Sequence, residues 1–476
     1  MTAQRIVKEV IDDHALHAVP ASDRHTWVDI SWSTCGIVTT LIQLFVGAMI
    51  AFVAGIKIAI LAGLLITVMG ALLGWGTGHI AYKCGLASTL MSRLYGFGVK
   101  GSLITASIFG FMIIGFIAAE NVLLYKGFLF YFNAEDTFSH RIIIYTGLTA
   151  AWILLTTYGF NAVTRVASLM LISFLGVLFY MMYTVIASSG QSWFDVLTFG
   201  TQVPLHISEQ LDATTETGKL IFCMNILAGS MGALALVDAD LGRYARSSSD
   251  IGIAALLGNL AQDFLMIVIG AAIMYAGLPE LVEYYVEVED LPAAEAREVA
   301  FENPDRVAFA FIVFGGTLGT ILMVAAQSKA QVLNTYSSSL SLANFFDATF
   351  SWRPGRLVFV ILANLLSLVL LYGEILTWFN SFLVILGVLT TCFAGIMLAD
   401  YFFVRPRLGH QDTERYGAEI VNWAGVVSLL LGFVLAHYVL TAFVPIEIFT
   451  ALGVSFFVYP ILRMYVFKPS YQETSI

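Results

Sequence analysis

Long, uninterrupted apolar runs are the feature that most restricts how this chain can fold. The twenty residues VAFAFIVFGGTLGTILMVAA, at 307–326, contain no charged side chain. About 20 residues of α-helix cross a membrane hydrocarbon core, which is roughly 30 Å thick. Inside that core every backbone polar group needs an internal partner, so only helices and closed barrels span it. Runs of this length predict helices, because barrel strands show a weaker alternation over about ten residues.

Similar runs recur along the whole chain. Of its 476 residues 59% are hydrophobic and 12% are charged, whereas about a quarter of the residues of a soluble domain are charged. We therefore predict an all-α polytopic membrane protein with twelve transmembrane helices. The predicted spans are 33–55, 58–82, 102–124, 142–160, 166–188, 219–238, 251–276, 307–335, 357–374, 377–403, 419–443 and 446–466.

The spans are predicted to form one domain. No low-complexity tract or long linker separates them, so a single transmembrane domain is expected at 31–467, between an N-terminal segment, 1–30, and a tail, 468–476. The first thirty residues lack the basic region and short apolar core of a cleaved signal peptide. The even number of spans puts both termini on one side of the membrane.

Lys and Arg in the short loops predict the orientation, because cytoplasmic loops carry an excess of them. With the N-terminus in the cytoplasm, the inner loops hold Lys83, Arg93, Lys100, Arg165, Arg243, Arg246, Arg353, Arg356, Arg405, Arg407 and Arg415. The outer loops hold Lys57, Lys126, Arg141, Lys219, Arg297 and Arg306. We predict a multi-pass protein of the plasma (inner) membrane with both termini in the cytoplasm.

Two spans contain weak points at a similar depth. Span 1 has Thr39, Thr40 and Gln43 near its middle with Gly47 close by, and span 6 has Asn225 and then Gly229, Ser230 and Gly232. Broken helices in matching positions of two halves are typical of transporters built from inverted repeats. The pattern predicts unwound segments near Gly47 and Gly229–Gly232, with one repeat at about 31–190, a second at about 217–404, and spans 11 and 12 at 419–467. The alternative is close helix packing, which better explains Gly70 and Gly74.

Lys329 follows the uncharged run, and two interpretations of it stay open. In the first, the span ends near Gln327 and Lys329 marks the cytoplasmic interface. In the second, the helix continues through SSSLSLANFF and the lysine faces a cavity or a partner. Helical spacing puts an amide and hydroxyl stripe (Gln327, Gln331, Asn334 and Ser338) on one face and Lys329 almost opposite it. The amides and the ammonium should therefore have different surroundings.

Other polar residues in the spans are expected to be structural. Glu120 is predicted near the outer interface, because it lies about 30 Å of helix beyond Lys100. Asp238 and Asp240 precede two arginines and are predicted to form a cytoplasmic ion-pair cluster, with a proton relay as the alternative. Phe111, Phe116 and Trp378 are either core residues or flat walls for a planar ligand.

Several function classes are disfavoured. The chain has neither an HExxH motif nor a convincing Ser/His/Asp set, so no enzyme activity and no catalytic residue are predicted. Its four cysteines lack metal-ligand spacing, and its net charge of −10 does not suit nucleic acid. An ion channel would need a repeated filter or a ring of like charges. We expect the lipid bilayer and a small molecule as partners, with no cofactor, metal or obligatory protein partner.

Four segments carry a family resemblance. These segments resemble, in order and spacing, elements of the nucleobase:cation symport-1 family, in its bacterial purine and cytosine permease branch. They are SRLYGFGVKGS (Ser92–Ser102), ADLGRYAR (Ala239–Arg246), YSSSLSLANF (Tyr336–Phe345) and GIMLADYFFVR (Gly395–Arg405). The resemblance extends from span 1 to about span 12.

The resemblance implies a LeuT-type fold, with a five-plus-five inverted repeat and two C-terminal helices. It also implies cation-driven import of a purine, cytosine, hydantoin or allantoin-like heterocycle, held among spans 1, 3, 6, 8 and 10. The substrate-binding residues so implied are Gln43, Phe111, Phe116, Ser230, Met231, Gly232, Gln331, Asn334 and Trp378. The ion-coupling residues are Lys329, Thr39, Ala326 and Ala330.

The sequence departs from the family pattern at several of these positions. Ile113 stands where the cytosine permeases have a glutamine that contacts the base, and Gln331 stands where relatives have an asparagine near the substrate. Lys329 and Ala330 replace a pair of hydroxyl residues that resemble sodium ligands. An ammonium there repels Na⁺, so we expect proton-coupled or Na⁺-independent transport. The alternatives are a Na⁺-coupled symporter, and a facilitator or exchanger for another small nitrogenous solute.

Overall fold

The computed structural model describes residues 14–157, 160–287, 290–296, 306–372, 375–411 and 417–469. Its long elements are helices, as the apolar runs predict. The first seven are α1 (Trp27–Val38), α2 (Leu41–Ala54), α3 (Ile56–Cys84), α4 (Ser102–Tyr131), α5 (Phe138–Thr157), α6 (Phe160–Ser188) and α7 (Glu216–Gly242). The remaining six are α8 (Ser248–Glu287), α9 (Arg306–Phe350), α10 (Arg356–Tyr372), α11 (Phe379–Leu408), α12 (Trp423–Val439) and α13 (Glu447–Val466).

These helices correspond in order to the predicted spans, with α1 and α2 together forming span 1. In the described residues, eight helices are long and apolar enough to cross a membrane. The bent pair of α1 and α2 and the bent helix α9 also pass this test, and α10 and α12 are shorter apolar helices. The arrangement is consistent with twelve spans.

The eighth span is longer than predicted. Helix α9 ends at Phe350 rather than near residue 335, after a bend of 53° between Ile312–Ile321 and Met323–Phe350. Lys329 lies well inside the second part of this helix, with none of its surface exposed. The interpretation of Lys329 as an interface marker is therefore wrong, because the serine-rich segment continues the helix beyond it.

The positions of the helix breaks also differ from the prediction. The break in span 1 lies at Thr39 and Thr40, where α1 and α2 meet at 63°. These threonines belong to the weak point that the sequence indicated, but Gly47, near which the unwound segment was predicted, is inside α2. Helix α7 runs unbroken through Gly229–Gly232. Its glycines instead permit close packing, since an added Cβ at Gly229 would lie 2.5 Å from the carbonyl oxygen of Leu383 on α11.

Two groups of helices form the centre of the bundle. Helix α9 packs against α4 and α6, and α7 packs against α3 and α11. The glycines of α3 admit side chains from its neighbours: an added Cβ would lie 1.9 Å from Asn259 Oδ1 at Gly70 and 2.2 Å from Asp238 Oδ2 at Gly74. Close packing therefore explains both glycines, as the sequence indicated.

Candidate functional site

A cavity lies where the break between α1 and α2 faces α4, α7, α8 and α9. Polar and apolar side chains share the lining, which consists of Ile37, Val38, Thr40, Gln43, Ile113, Phe116, Glu120, Ser230, Ala233, Leu234, Val237, Gln262 and Asn334.

Two threonines account for the break in span 1. The hydroxyl of Thr39 donates to the carbonyl oxygen of Cys35 at 2.8 Å at the end of α1. The hydroxyl of Thr40 accepts from the backbone N–H of Gln43 at 3.4 Å and caps the start of α2. Hydroxyl groups compete with the backbone ladder in this way and therefore favour helix ends. The break leaves carbonyl groups of the last turn of α1 without backbone partners.

Lys329 binds this open end of α1. Its ammonium donates to the carbonyl oxygen of Gly36 at 3.2 Å and to that of Thr39. It also lies 4.3 Å from the ring centre of Phe174 on α6, over the ring. A cation is favoured at a helix C-terminus because unpaired carbonyls and the helix dipole both place negative charge there. The lysine is therefore hydrogen-bonded to the main chain inside the bundle, and its charge faces α1.

The amides of α9 face a different helix, as their spacing predicted. Gln327 Nε2 donates to the carbonyl oxygen of Glu120 at 3.5 Å, and Asn334 Nδ2 donates to Glu120 Oε2 at 3.5 Å. Gln331 Nε2 donates to the carbonyl oxygen of Ile117 at 2.9 Å. All three acceptors are on α4, so the stripe connects α9 to α4 while Lys329 connects it to α1.

Glu120 was predicted at the outer interface, and the structure corrects this position. Its side chain is only 2% exposed and lines the cavity. Helix α4 continues to Tyr131, and the residue that forms a salt bridge near its end is Lys126, 3.2 Å from Asp136. Six residues of helix, about 9 Å, therefore separate Glu120 from this charged end. Counting back from Lys126 would have placed Glu120 within the bundle.

Four of the nine predicted substrate-binding residues line the cavity together. They are Gln43, Phe116, Ser230 and Asn334. They come from four different helices, α2, α4, α7 and α9, which only the folded bundle brings together. Their meeting follows from helical periodicity, which puts Asn334 on the face of α9 toward α4, and from the break in span 1, which opens the start of α2.

Three predicted residues are held in helix contacts outside the lining. Gln331 donates to Asn121 Oδ1 at 3.1 Å as well as to α4 backbone, so its amide N–H groups are used within the bundle. Met231 faces Gly70 on α3, where its Cγ would lie 2.9 Å from an added Cβ. Gly232 faces Thr390 on α11. Met231 and Gly232 point away from the cavity because α7 is a regular helix and only one of its faces borders it.

The predicted aromatic residues form a cluster, but only Phe116 reaches the cavity. Phe382 on α11 lies at its centre, with ring centres 5.9 Å from Phe111 and Phe116 and 5.8 Å from Trp378. Phe111 is 43% exposed on the surface of the bundle. Phe111 and Trp378 therefore pack beside the site rather than lining it, since both contact Phe382, which is not itself part of the lining.

The four predicted ion-coupling residues lie near one another along α9 and at the end of α1. Thr39 accepts a hydrogen bond from Lys329 through its carbonyl oxygen. Ala326 and Ala330 are fully buried on α9, and their methyl groups have no oxygen that could bind an ion. In this region the ammonium nitrogen is the cationic group that the carbonyls of α1 hold.

The predicted ion-pair cluster at the end of α7 has a different form. Asp240 Oδ1 accepts from the backbone N–H of Ser88 at 2.8 Å, and Asp238 packs against Gly74 with none of its surface exposed. Arg243 donates to the hydroxyl of Tyr336 at 2.6 Å. Both carboxylates are inside the bundle, because α7 remains buried to its last turn.

Sequence reasoning did not single out Glu120 or Gln262 as parts of this cavity. Gln262 is in a single π-helical turn of α8, Ala261–Leu265, which turns its side chain toward the lining. Such turns often occur at functional sites. No simple sequence signal predicts the turn, whereas the carboxylate of Glu120 inside an apolar run was itself a signal.

Comparison with known families identifies one match over most of the chain. Residues 28–459 match the family model described as permease for cytosine/purines, uracil, thiamine, allantoin. No curated protein sequence matches the chain significantly.

Solved transporter structures share the fold. The inward-facing conformation of Mhp1 is 16% identical, with a TM-score of 0.69 over 93% of this chain and 91% of Mhp1. Mhp1, a nucleobase-cation-symport-1 family transporter, in a closed conformation with bromovinylhydantoin bound gives the same score and identity over 94% and 93% of the two chains. A Na⁺-coupled sialic acid symporter is 13% identical, with a TM-score of 0.63 over 98% and 94%. These similarities confirm the LeuT-type fold.

Proposed function

This chain belongs to the family of permeases for cytosine, purines, uracil, thiamine and allantoin, and we propose that it imports a nucleobase or related nitrogen heterocycle. The chain is a multi-pass membrane transporter rather than an enzyme. We place it in the plasma membrane with both termini in the cytoplasm, which the distribution of Lys and Arg supports. In this proposal transport needs neither a cofactor nor an obligatory protein partner.

The composition of the cavity supports a planar, nitrogen-rich ligand. Gln43 and Asn334 offer amide groups, each with N–H donors and a carbonyl acceptor that match ring carbonyl and N–H groups. Phe116 offers an aromatic face, and Ile113 and Leu234 add apolar walls. A few polar groups within an apolar lining are typical of sites that fix the orientation of a small molecule.

The contacts of Lys329 support transport without Na⁺. In transporters of this type, carbonyls at the ends of broken helices coordinate the driving ion. Here the lysine ammonium binds the carbonyl oxygens of Gly36 and Thr39, and a second cation at the same oxygens would be repelled. We propose that transport is proton-coupled, with the lysine giving up its proton in one state of the cycle. A lysine that stays charged would instead make the protein a facilitator or exchanger.

The titratable groups around Lys329 bear on this proposal. Glu120 on α4 attracts its charge, and Phe174 on α6 covers it with an aromatic ring. When the ammonium loses its proton, its hydrogen bonds to the end of α1 weaken, because hydrogen bonds from a charged donor are roughly twice as strong as neutral ones. A change at α1 would then be linked to the protonation of Lys329.

A thermal-stability screen of the purified protein tests the function. We would measure the melting temperature with nucleobases, hydantoins and allantoin, with and without Na⁺, and from pH 5 to 9. A ligand stabilises the folded state according to its occupancy. We expect stabilisation by a heterocycle that is independent of Na⁺ and varies with pH. Stabilisation that requires Na⁺ would favour the Na⁺-coupled alternative, and no response to any heterocycle would contradict the proposed substrate class.

A further inference from the structure

Glu120 is the charged group that the cavity offers to a ligand. Among the lining residues that the structure describes, it alone has an acidic or basic side chain. The side chain is 98% buried, since only 2% of its surface is exposed. A carboxylate at this depth in a membrane protein is costly and generally serves a function. Its position in the lining therefore requires a partner or a role.

The hydrogen bonds of Glu120 leave acceptor capacity toward the cavity. Asn334 Nδ2 donates to Oε2 at 3.5 Å, a long contact, and the hydroxyl of Thr40 is a second partner. An ionised carboxylate has about four lone-pair sites. Asn334 and Thr40 also line the cavity, so a ligand that enters meets Glu120 together with both of its present partners.

Lys329 supplies the opposite charge without occupying these acceptor sites. The ammonium attracts the carboxylate electrostatically, but its hydrogen bonds go to Gly36 and Thr39 on α1. Opposite charges within one buried region lower the cost of keeping both ionised. An ionised Glu120 can accept N–H groups while Lys329 stays bound to α1.

We propose that Glu120 makes this site select heterocycles that present two adjacent N–H donors along one edge. Guanine has such an edge, a ring N–H beside an exocyclic amine, and so does isocytosine. Two N–H groups side by side match the two oxygens of a carboxylate. Adenine and cytosine present a donor beside a ring nitrogen acceptor, which a carboxylate repels. This inference rests on the proposed function and narrows its substrate class.

The neighbours of Glu120 fit the rest of such a ligand. In guanine and isocytosine a carbonyl oxygen follows the two donors, and the amide of Asn334 lies beside Glu120, where its N–H could shift from Oε2 to that oxygen. Phe116, one turn before Glu120 on α4, can cover the ring face. The protein then offers two acceptors, the oxygens of Glu120, followed by one donor, the amide of Asn334. This order complements the two donors and one acceptor along the edge of the ligand.

Matched ligand pairs test the inference on the unmodified protein. Hypoxanthine differs from guanine only by the missing exocyclic amine, and cytosine and isocytosine are isomers with different edges. We would measure competition by each against labelled guanine in proteoliposomes. A hydrogen bond to a charged acceptor predicts that guanine competes roughly 10- to 100-fold better than hypoxanthine. Isocytosine should likewise compete better than cytosine.

The variant Glu120→Gln tests the role of the carboxylate directly. An amide of almost the same size replaces one acceptor oxygen by a donor. The advantage of guanine over hypoxanthine as a competitor should therefore fall to a few-fold, because the variant weakens guanine binding more than hypoxanthine binding. Asp136→Asn is the matched control, because it removes a carboxylate in the loop after α4, outside the cavity. In this control, guanine should keep the same advantage over hypoxanthine as in the unmodified protein.

Each outcome decides between the possibilities. If Glu120→Gln leaves the advantage of guanine over hypoxanthine unchanged, the inference is overturned. Equal competition by guanine and hypoxanthine in the unmodified protein would also overturn it, and this second test does not require the variant to fold. A preference for adenine and cytosine would mean that Glu120 carries its proton, and would also overturn it. If the unmodified protein binds no nucleobase at all, the proposed function itself fails.

Discussion

The ammonium nitrogen of Lys329 lies 3.2 Å from the carbonyl oxygen of Gly36, at the point where the first span breaks. Gly36 is in the last turn of α1, where the end of the helix leaves some carbonyls without intrahelical partners. Lys329 is 293 positions further along the chain, in the middle of α9. The charge state of one residue on α9 is thereby linked to the end of the broken helix beside the cavity.

Removing the lysine should alter both coupling and stability. Lys329→Ala leaves the carbonyls of Gly36 and Thr39 unpaired in a buried place, which should cost about 1–3 kcal/mol of unfolding free energy. The variant should also lose the dependence of uptake on a pH gradient. Melting temperature and uptake by proteoliposomes measure the two effects. Wild-type pH coupling in this variant would remove Lys329 from the mechanism.

A hydroxyl at the same position should act differently from a methyl group. Lys329→Ser and Lys329→Thr remove the positive charge and supply an oxygen beside the carbonyls of α1, which is the kind of ligand that Na⁺ binds. We expect weaker proton coupling and a new stimulation of uptake by Na⁺. Lys329→Ala is the control, because its methyl group supplies no oxygen. Equal Na⁺ responses in all three variants would contradict this expectation.

The amides of α9 should separate into a ligand-binding residue and a structural one. Asn334 lines the cavity, so Asn334→Ala should weaken heterocycle binding by about tenfold. Gln331 bonds to Ile117 and Asn121 on α4, so Gln331→Ala should lower the melting temperature and leave ligand preference unchanged. Ligand titrations monitored by thermal stability distinguish the two. A change of ligand preference in Gln331→Ala would place that amide in the site.

The glycines of α3 provide a test of helix packing. In Gly74→Ala the added methyl would lie 2.2 Å from Asp238 Oδ2 on α7, so the helices must separate or the carboxylate must move. Such overpacking costs about 1–3 kcal/mol. Gly176→Ala on α6 is the control, since an added Cβ there meets nothing within 4 Å. Equal melting temperatures for the two variants would contradict the packing of α3 against α7.

The loop after α4 should stabilise the protein over a defined range of pH. A hydrogen bond from Arg141, at 2.6 Å, together with those from Tyr125 and Lys126, holds the pKa of Asp136 well below its usual range. A lowered pKa in the folded state means that the contribution is fully present above the unfolded value, about 3.9, and is lost as the pH falls below it.

Melting temperatures of the unmodified protein and of Asp136→Asn measure this contribution. The difference between them should be small and constant between pH 5 and 8, because the cluster is partly exposed to solvent, and should vanish in acid. Salt should reduce it by screening. A difference that grows as the pH falls would show that Asp136 is not held ionised by Arg141.

The sequence alone determined the class of protein and the order of its spans. Uncharged runs of about 20 residues leave few alternatives to membrane helices, and four short segments identified the family. Helical periodicity also separated Lys329 from the amide stripe of α9 correctly. These features depend on local composition and spacing, which a sequence shows directly.

Only the tertiary structure decided where the helices break and which side chains meet. The small residues of span 6 allow either an unwound segment or close packing, and the neighbouring α11 settled the choice for packing. Glu120 became a cavity residue because α4 extends beyond it and α9 presents Asn334 to it. A sequence pattern gives the faces of each helix, but the contacts that define a site depend on how all the helices pack together.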